Sequence, residues 1–489
     1  MRRKRLNGQI VGKPQDAGRA RKSANTRKKK RSLPRGKCGR DRQSWRTWTL
    51  LFTVKIWGVS YADTSSRGVL QGRDARRRLW ETVAMPDLTL IAAVTIFAAT
   101  YAFVAVGKMP VYRIDRAGAA LLGASLMVGT GVLSAEEAYR AVDFDTITLL
   151  LGMMIVVANL RVSGFFRVVT DWIASHVRHP LALLGAVVAA SGALSAFLVN
   201  DTICLVMTPL VLELVTRVRR NPVPYLLAIA TASNIGSVAT ITGNPQNIII
   251  GSVSQIPYGA FAAALAPIAA IGLVIAALLI AFSYRAEFFT RERLEKAAMP
   301  THYHGPLMAK TVVVMVVMVV LFFLGQPAAK VAIVGGAFLL LTRRVKPEKI
   351  YLEIDWPLLV MFVGLFVVVA GFEKTVLTPE VTAAAARLRL DDPGVLAGVT
   401  ALLSNVVSNV PAVLLLKPFV PNLADPQRAW LVIAMSATFA GNFTLVGSVA
   451  NLIVAQRAKA RGVEIGFWTY FKVGAPLTLV TIAIGLLAL

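Results

Sequence analysis

Cysteine is almost missing from this sequence: Cys38 and Cys204 are the only two in 489 residues. One lies in a basic N-terminal stretch and the other in an apolar run, which argues against a disulfide framework and a cysteine-based metal site. Histidine is nearly as scarce. His176, His179, His302 and His304 are the whole set, and no neighbouring residues complete a group of metal ligands. Charge is sparse too: 16% of residues are Asp, Glu, Lys or Arg, against about 25% in an average soluble protein. No G-x-x-x-x-G-K-[ST] loop occurs, so direct coupling to ATP would need a partner. The apolar region offers no acid pair, His-rich set or activated Ser at one depth, and a membrane-embedded enzyme is not expected. The only early apolar run, "WTLLFTVKIWGVSYA", comes late and contains Lys55, unlike a signal peptide.

What the sequence does have is apolar length. Hydrophobic residues make up 56% of it, and its mean hydropathy is +0.62. Windows such as "LTLIAAVTIFAATYAFVAVG" and "FAAALAPIAAIGLVIAALLIAF" approach the ~20 residues a membrane-spanning helix needs. These features predict an all-α polytopic membrane protein, set in the lipid of the cytoplasmic membrane. The net charge of +27 is unevenly placed: residues 1–84 hold 24 Lys/Arg and 5 Asp/Glu, whereas the remainder holds 29 and 21. The stretch 1–84 is expected to be a disordered extension or the product of an early start, with Met85 opening the folded part. It alone has nucleic-acid character, and no nucleic-acid partner is expected.

The chain repeats itself. "VDFDTITLLLGMMIVVANL" is echoed by "EIDWPLLVMFVGLFVVVAGF", with Asp145 set against Asp355. "LSAFLVNDTICLVMTPLV" is echoed by "LSNVVSNVPAVLLLKPFV", with Asn200 opposite Asn409. "ATASNIGSVATITGNPQNIIIG" answers "AMSATFAGNFTLVGSVANLIVA", pairing Gly243 with Gly447 and Asn247 with Asn451. Ala266-Pro267 then answers Ala475-Pro476, at separations between 204 and 210 residues throughout. Four matches in one order predict an internal duplication: repeat 1 over 85–282 and repeat 2 over 310–489, joined by a cytoplasmic linker at 283–309.

Spans are predicted near 87–107, 117–133, 146–160, 225–250 and 257–282, then 310–325, 328–342, 356–371, 429–454 and 467–489. Segments 180–216 and 393–418 each have a polar break in the middle and read as re-entrant hairpins. This layout gathers Lys108, Arg113, Arg116, Arg217, Arg219, Arg220, Arg343, Arg344, Lys346, Arg457, Lys459 and Arg461 on one side, the cytoplasmic one. The halves then have inverted topology, a recurrent plan of secondary transporters.

Four non-helical breaks at membrane depth follow, allowed only where protein or water satisfies the backbone. Each precedes a helix with good starting residues. Asp201 or Thr202 is expected to cap one, Ser408-Asn409 precedes Pro411 in another, Asn244 precedes Pro245, and Ser448 starts the last. Helix starts carry unpaired N–H groups and about half a positive charge, so several aimed at one spot make an anion site without a buried Arg or Lys. Unwound carbonyls and Asn oxygens can hold Na⁺ or a similar hard cation. Gly236, Gly243, Gly441 and Gly447 let the chain bend and let a ligand approach the backbone. Of the outlying features, Asp145 and Asp355 read as helix-start acids, "FFRVVTDWIASHV" as an interfacial helix, and Glu213 as an i+4 partner of Arg217.

From about Met85 onward, these motifs resemble the ion transporter superfamily, which includes divalent-anion/sodium symporters, citrate transporters and arsenite permeases. The symporters carry Ser-Asn-Thr at each hairpin tip and a "GSPPN"-like loop in the next span. Here the tips read Val199-Asn200-Asp201 and Ser408-Asn409-Val410, and the loops "TGNPQNIIIG" and "VGSVANLIVA". The resemblance implies an elevator-type permease, often a homodimer, moving a small anionic or oxyanion-like solute coupled to Na⁺ or H⁺, with no other cofactor. It assigns substrate contact to Asn200, Asp201, Thr202, Ser408, Asn409 and Val410. It assigns cation contact to Asn200, Thr242, Gly243, Asn244, Asn409, Gly447, Ser448 and Asn451, with helix breaks at Gly236, Pro245, Pro411 and Gly441. Val199, Asp201 and Val410 replace positions the dicarboxylate symporters use to hold carboxylates. "SAFLVNDTICLVMTPLV" is closer to the arsenite permeases, so arsenite or antimonite efflux stands as the alternative. Asp201 is expected to bind the coupling ion, to face a neutral substrate such as arsenous acid, or to act as an N-cap only.

Overall fold

The computed structural model describes residues 88–106, 114–294, 303–341, 345–378 and 388–489, all within the unit Val83–Leu489. The basic stretch 1–84, Cys38, His302, Lys108, Arg113, Arg343, Arg344 and part of the linker lie outside the described residues.

Helix starts are written in the same way in both halves: a capping residue, then proline, whose missing N–H costs nothing in a first turn. His179-Pro180 and Asp392-Pro393 open the first arms of the two hairpins, and Asn221-Pro222 and Asp425-Pro426 open the helices that follow. The first half contains α1 (Leu88–Val106), α2 (Arg116–Gly129), α3 (Ala135–Ala141), α4 (Phe144–Ser163), α5 (Phe165–His176), the hairpin α6 (Pro180–Phe197) and α7 (Asn200–Arg217), then α8 (Pro222–Ser237), α9 (Pro245–Ser254) and α10 (Tyr258–Ser283). The short α11 (Arg285–Phe288) ends it. The second half contains α12 (Gly305–Phe323), α13 (Ala328–Leu340), α14 (Pro347–Tyr351), α15 (Trp356–Val376), the hairpin α16 (Pro393–Val407) and α17 (Asn409–Leu416), then α18 (Pro426–Ala440), α19 (Val449–Lys459) and α20 (Phe467–Ala488).

Seven of these helices are long and apolar enough to cross a membrane. Ile271, Val274 and Leu278 of α10 and Val313, Val316 and Val320 of α12 remain exposed, which suits helices bathed in lipid, where apolar surface has no reason to turn inward.

The two halves interlock. Gly152 of α4 lies so close to α13 that an added Cβ would sit 2.4 Å from the Ala332 carbonyl carbon, and Gly364 of α15 would meet the Ala120 carbonyl carbon of α2 at 2.5 Å. Each residue of one crossing lies 212 positions from its counterpart in the other (152 to 364, 120 to 332). The same offset corrects a register taken from the sequence. The counterpart of Asp355 is Asp143, not Asp145: Asp143 and Asp355 are the N-caps of α4 and α15, each accepting backbone N–H bonds at 3.1 Å. Asp145 sits one residue into the first turn.

The outer edge of this interlock is tied by Glu137, whose carboxylate oxygens lie 2.7 and 2.8 Å from Lys374 Nζ. The same carboxylate closes a capping box with Ser134. Elsewhere Glu213 pairs with Arg217 at 2.9 Å, and α5 leaves Trp172 exposed, stacked on His176.

Gly152→Ala is expected to lower the thermal midpoint of the detergent-purified protein, by the ~1–3 kcal/mol typical of overpacking. Gly185→Ala, where nothing lies within 4 Å of the new Cβ, should leave it unchanged. Lys374 and the Ser134 cap hold the Glu137 carboxyl down at about 2. That contribution is therefore complete above the ordinary carboxylate range and lost as pH falls from about 4.5 toward 2. A pH series of thermal midpoints should lose this acid limb in Glu137→Gln.

Candidate functional site

The two hairpins turn at their tips without room for a loop. Only Leu198 and Val199 stand between α6 and α7, and Ser408, in the left-handed region at φ 77°, is the single residue between α16 and α17. Capping at these tips departs from expectation. The N-cap of α7 is Val199, without a side-chain bond, so Asp201 and Thr202 lie inside the first turn rather than capping it; Ser408 likewise makes no cap bond. At the loop breaks the caps form: Asn244 Oδ1 accepts from Asn247 N at 2.8 Å and Ser448 Oγ from Ala450 N at 3.2 Å.

Both loops are stitched by one asparagine each, in the same manner. Asn247 Nδ2 donates to the carbonyls of Ser237 and Thr240 at 3.1 and 3.0 Å; Asn451 Nδ2 donates to those of Gly441 and Thr444 at 2.7 and 3.2 Å. Every member of the first set lies 204 positions before its counterpart. Bonds between the halves obey the same symmetry: Asn244 Nδ2 donates to Thr438 Oγ1 at 3.3 Å, and Ser448 Oγ donates to Asn234 Oδ1 at 3.2 Å.

Asn234, fully buried on α8, is the centre of this network. Its Oδ1 accepts from Asn200 Nδ2 at 3.0 Å as well as from Ser448, and its Nδ2 donates to Asn442 Oδ1 at 2.9 Å and Asn451 Oδ1 at 3.1 Å. One amide thus joins the first tip to the second loop.

The tips and both loop helices meet at a small cavity of about 50 Å³. Asn200 and Asp201 line it from the start of α7, Ser408 to Pro411 from the start of α17, Pro245 and Gln246 from α9, and Ser448 and Val449 from α19. Four helix N-termini therefore converge on one spot. The remaining wall is Val104, Arg116, Leu358 and Met361 of α1, α2 and α15. Arg116 departs from the expectation of a site without a basic side chain. The Asp201 carboxylate lies within electrostatic reach of both Arg116 and Asp355. Thr202 faces an adjoining cavity of about 80 Å³ that shares Asp201.

The other sequence-derived residues frame the cavity instead of lining it. Thr242 Oγ1 shares a hydrogen bond with Tyr258 Oη at 2.9 Å. Gly236 stays inside α8, where a Cβ would lie 2.1 Å from the Gly192 carbonyl oxygen; at Gly243 it would lie 2.2 Å from the Ser237 carbonyl oxygen. Gly441 and Gly447 sit beside Asn409 Nδ2 and Asn405 Oδ1, which a Cβ would approach to 3.4 and 2.9 Å. None of these four glycines has positive φ; close approach of backbone, not an unusual turn, is what requires them. Sequence reasoning missed Arg116, Asn234, Gln246, Asn405, Thr438 and Asn442. Asn234 could have been found, since it sits opposite Thr438 in the 204-residue register.

Inverted halves, two re-entrant hairpins and two broken helices around a shared cavity define a multi-pass membrane transporter. The chain belongs to the citrate transporter family, which matches residues 101–435, within the ion transporter superfamily. It is 30% identical to a 46 kDa membrane protein of Mycobacterium leprae over 81% of this chain and 96% of that one. It is 31% identical to the silicon efflux transporter LSI3 of Oryza sativa subsp. japonica, over 78% and 93%, and 25% identical to a putative transporter arsB of Dictyostelium discoideum, over 76% and 86%. Among solved structures the YdaH transporter of Alcanivorax borkumensis shares the fold, at a TM-score of 0.54 and 13% identity over 82% of this chain and 97% of that one.

Asn234→Asp keeps the shape but sets a carboxylate against the Oδ1 atoms of Asn442 and Asn451. Its expected cost is a few kcal/mol, from unpaired buried groups. Thermal denaturation should show a loss well beyond that of Asn405→Asp, whose side chain is only partly buried.

Proposed function

We propose that this chain is a secondary active transporter that moves a small anion or oxyanion-like solute across the cytoplasmic membrane, coupled to Na⁺ or H⁺. The observation that supports this best is the convergence of four helix N-termini on one cavity, joined there by Arg116. N–H groups and dipole ends favour negative charge or an electron-rich oxygen. The cavity volume favours a compact solute: about 50 Å³ is room for only a few water-sized groups, at the ~10–15 Å³ that one water needs on this measure.

The coupling ion is assigned to Asn200 and its surroundings. Asn200 Oδ1 is a buried acceptor without a hydrogen-bond partner, the oxygen type a hard cation takes; Asn247 Oδ1 in the first loop and Asn405 Oδ1 beside Gly447 are two more, each at its own break. Asp201, beside Asn200, supplies a carboxylate that Na⁺ can bind or a proton can neutralise. An elevator motion is supported by where space lies. The site cavity is walled on one side by α1, α2 and α15 and on the other by the hairpins and broken helices. A second cavity, of about 450 Å³, separates α4 and the α12–α13 turn from α9 and α10. Both follow one boundary, along which the hairpin unit would slide. A homodimer resting on the α1/α2/α15 side belongs to the same reading.

A second reading is efflux of a neutral oxyacid such as arsenous or silicic acid. Asp201 favours it, because a fixed carboxylate repels an anion but accepts hydrogen bonds from a neutral hydroxide; the named relatives for silicon efflux and arsB are similar over most of their length.

Proteoliposome uptake, challenged in turn with arsenite, silicic acid, citrate, dicarboxylates and sulfate under Na⁺ and H⁺ gradients, separates these readings. Accumulation against a gradient is expected for one solute class; equilibration alone would indicate a channel. Asp201→Asn should reduce gradient-driven accumulation on the order of tenfold while downhill exchange persists. Unaltered coupling in that variant would remove Asp201 from the ion site.

A further inference from the structure

Three cavities follow one another through shared lining residues, from the tip site toward the side where Arg217, Arg219, Arg220, Arg457 and Lys459 gather, the cytoplasmic one by the distribution of basic residues. The 50 Å³ site shares Asp201 and Leu358 with the 80 Å³ cavity, which shares Arg161 with a third, of about 310 Å³. This third cavity is walled by α4, α5, α7 and the turn after α19. Arg161, Arg167 and Arg461 line it, with Glu213 as its one acid. Glu213 is already paired with Arg217 at 2.9 Å. Arg461 is held by a 2.7 Å bond to the Pro209 carbonyl oxygen, which takes none of its charge. Arg161 is engaged by Glu353 across the narrow cavity, and Arg167 is exposed. The large chamber is therefore basic, whereas the narrow one beyond Arg161 carries Glu353, Asp355 and Asp201.

We propose that the Arg161/Arg167/Arg461 chamber is a second anion-binding site, where a small soluble oxyanion docks on the cytoplasmic side before reaching the hairpin tips or after leaving them. Arg161 belongs to both chambers, and its pairing with Glu353 stands between them. The chamber's basic character does not depend on the solute assigned to the tip site, although its role as a way station rests on the transport reading. A phosphate-bearing lipid headgroup would offer the same chemistry as a free oxyanion, and the experiment distinguishes them.

The test uses the full chain with Cys38→Ser and Arg167→Cys; Cys204 is fully buried. The protein is placed in phosphatidylcholine nanodiscs, and its modification by anionic and cationic methanethiosulfonate reagents is timed. With each rate divided by that reagent's rate on a free thiol in solution, the anionic reagent is expected to be favoured on the order of tenfold, and millimolar inorganic phosphate is expected to slow it. Adding Arg461→Gln should shrink the preference, and adding Glu213→Gln should enlarge it; these opposite signs separate field effects from misfolding. Equal normalised rates for the two reagents would overturn the proposal, as would protection by phosphatidylglycerol in the nanodisc but none by phosphate. No transport measurement enters the readout, so failure of the tip-site assignment leaves this result interpretable.

Discussion

Unwound backbone at membrane depth must have its N–H and C=O groups satisfied from within the protein, and this constraint shapes everything near the midplane here. Two helices break there, and each break is stitched from inside its own half by Asn247 or Asn451 and held from the other half through Thr438 or Asn234. Neither break is complete alone. The duplication is thus more than a record of ancestry: each half supplies hydrogen-bond partners that the other lacks. Asn234 makes this dependence visible, since all four of its side-chain hydrogen bonds run to groups at a tip or in the opposite half's broken segment.

Satisfying the interior of a break leaves the helix starts on either side of it to be aimed, with one first-turn N–H capped at each loop by Asn244 or Ser448. The N-termini of α7, α9, α17 and α19 keep their first N–H groups unpaired within the helix, and the interlock directs all four at one cavity. The electrostatic character of the site is therefore a by-product of how the breaks are closed. Close packing serves the same end: Gly236 against Gly192 and Gly243 against Ser237 leave no room for even a Cβ between backbone and backbone, which fixes the direction of the helix ends. A substitution that pushed these apart would move the dipoles along with the chain.

Much of this was legible in the sequence. Polar residues at the centre of apolar runs marked both tips, and Pro after Asn at Asn244-Pro245 marked a helix start. The duplication was readable from Asn200 against Asn409 and Asn247 against Asn451. What could not be read was partnership between distant segments. Asn234 looks like any polar residue of an apolar helix until α18 and α19 are folded onto it. Arg116 sits at the edge of an apolar run, where the distribution of basic residues explains it as a loop charge; only the packing of α2 against α15 carries it to the cavity. The mis-set register at Asp145 has a simple cause: two acids stand two residues apart, and capping geometry, not apolar pattern, decides which one starts the helix.

The symmetry and its violations divide the work at the site. At the tip cavity itself, everything that repeats between the halves is uncharged: the tip asparagines, the stitched loops and the helix ends, which together favour an anion or an oxygen-rich solute without distinguishing one from another. In that lining, charge enters only where the halves differ. Asp201 stands where the second tip has Val410, by the same offset of 209 that relates Asn200 to Asn409, and Arg116 stands where the second half has Ala328, by the 212 of the helix crossings. Both charged groups face the cavity together. A symmetric pocket would present the same field to both sides of the membrane. Placing the one acid and the one base in the first half makes the field lopsided, with its charged wall toward the face where Arg161, Arg167 and Arg461 gather. Selectivity and direction are thus expected to reside in these unrepeated residues, because the repeated frame has no means of telling one side from the other.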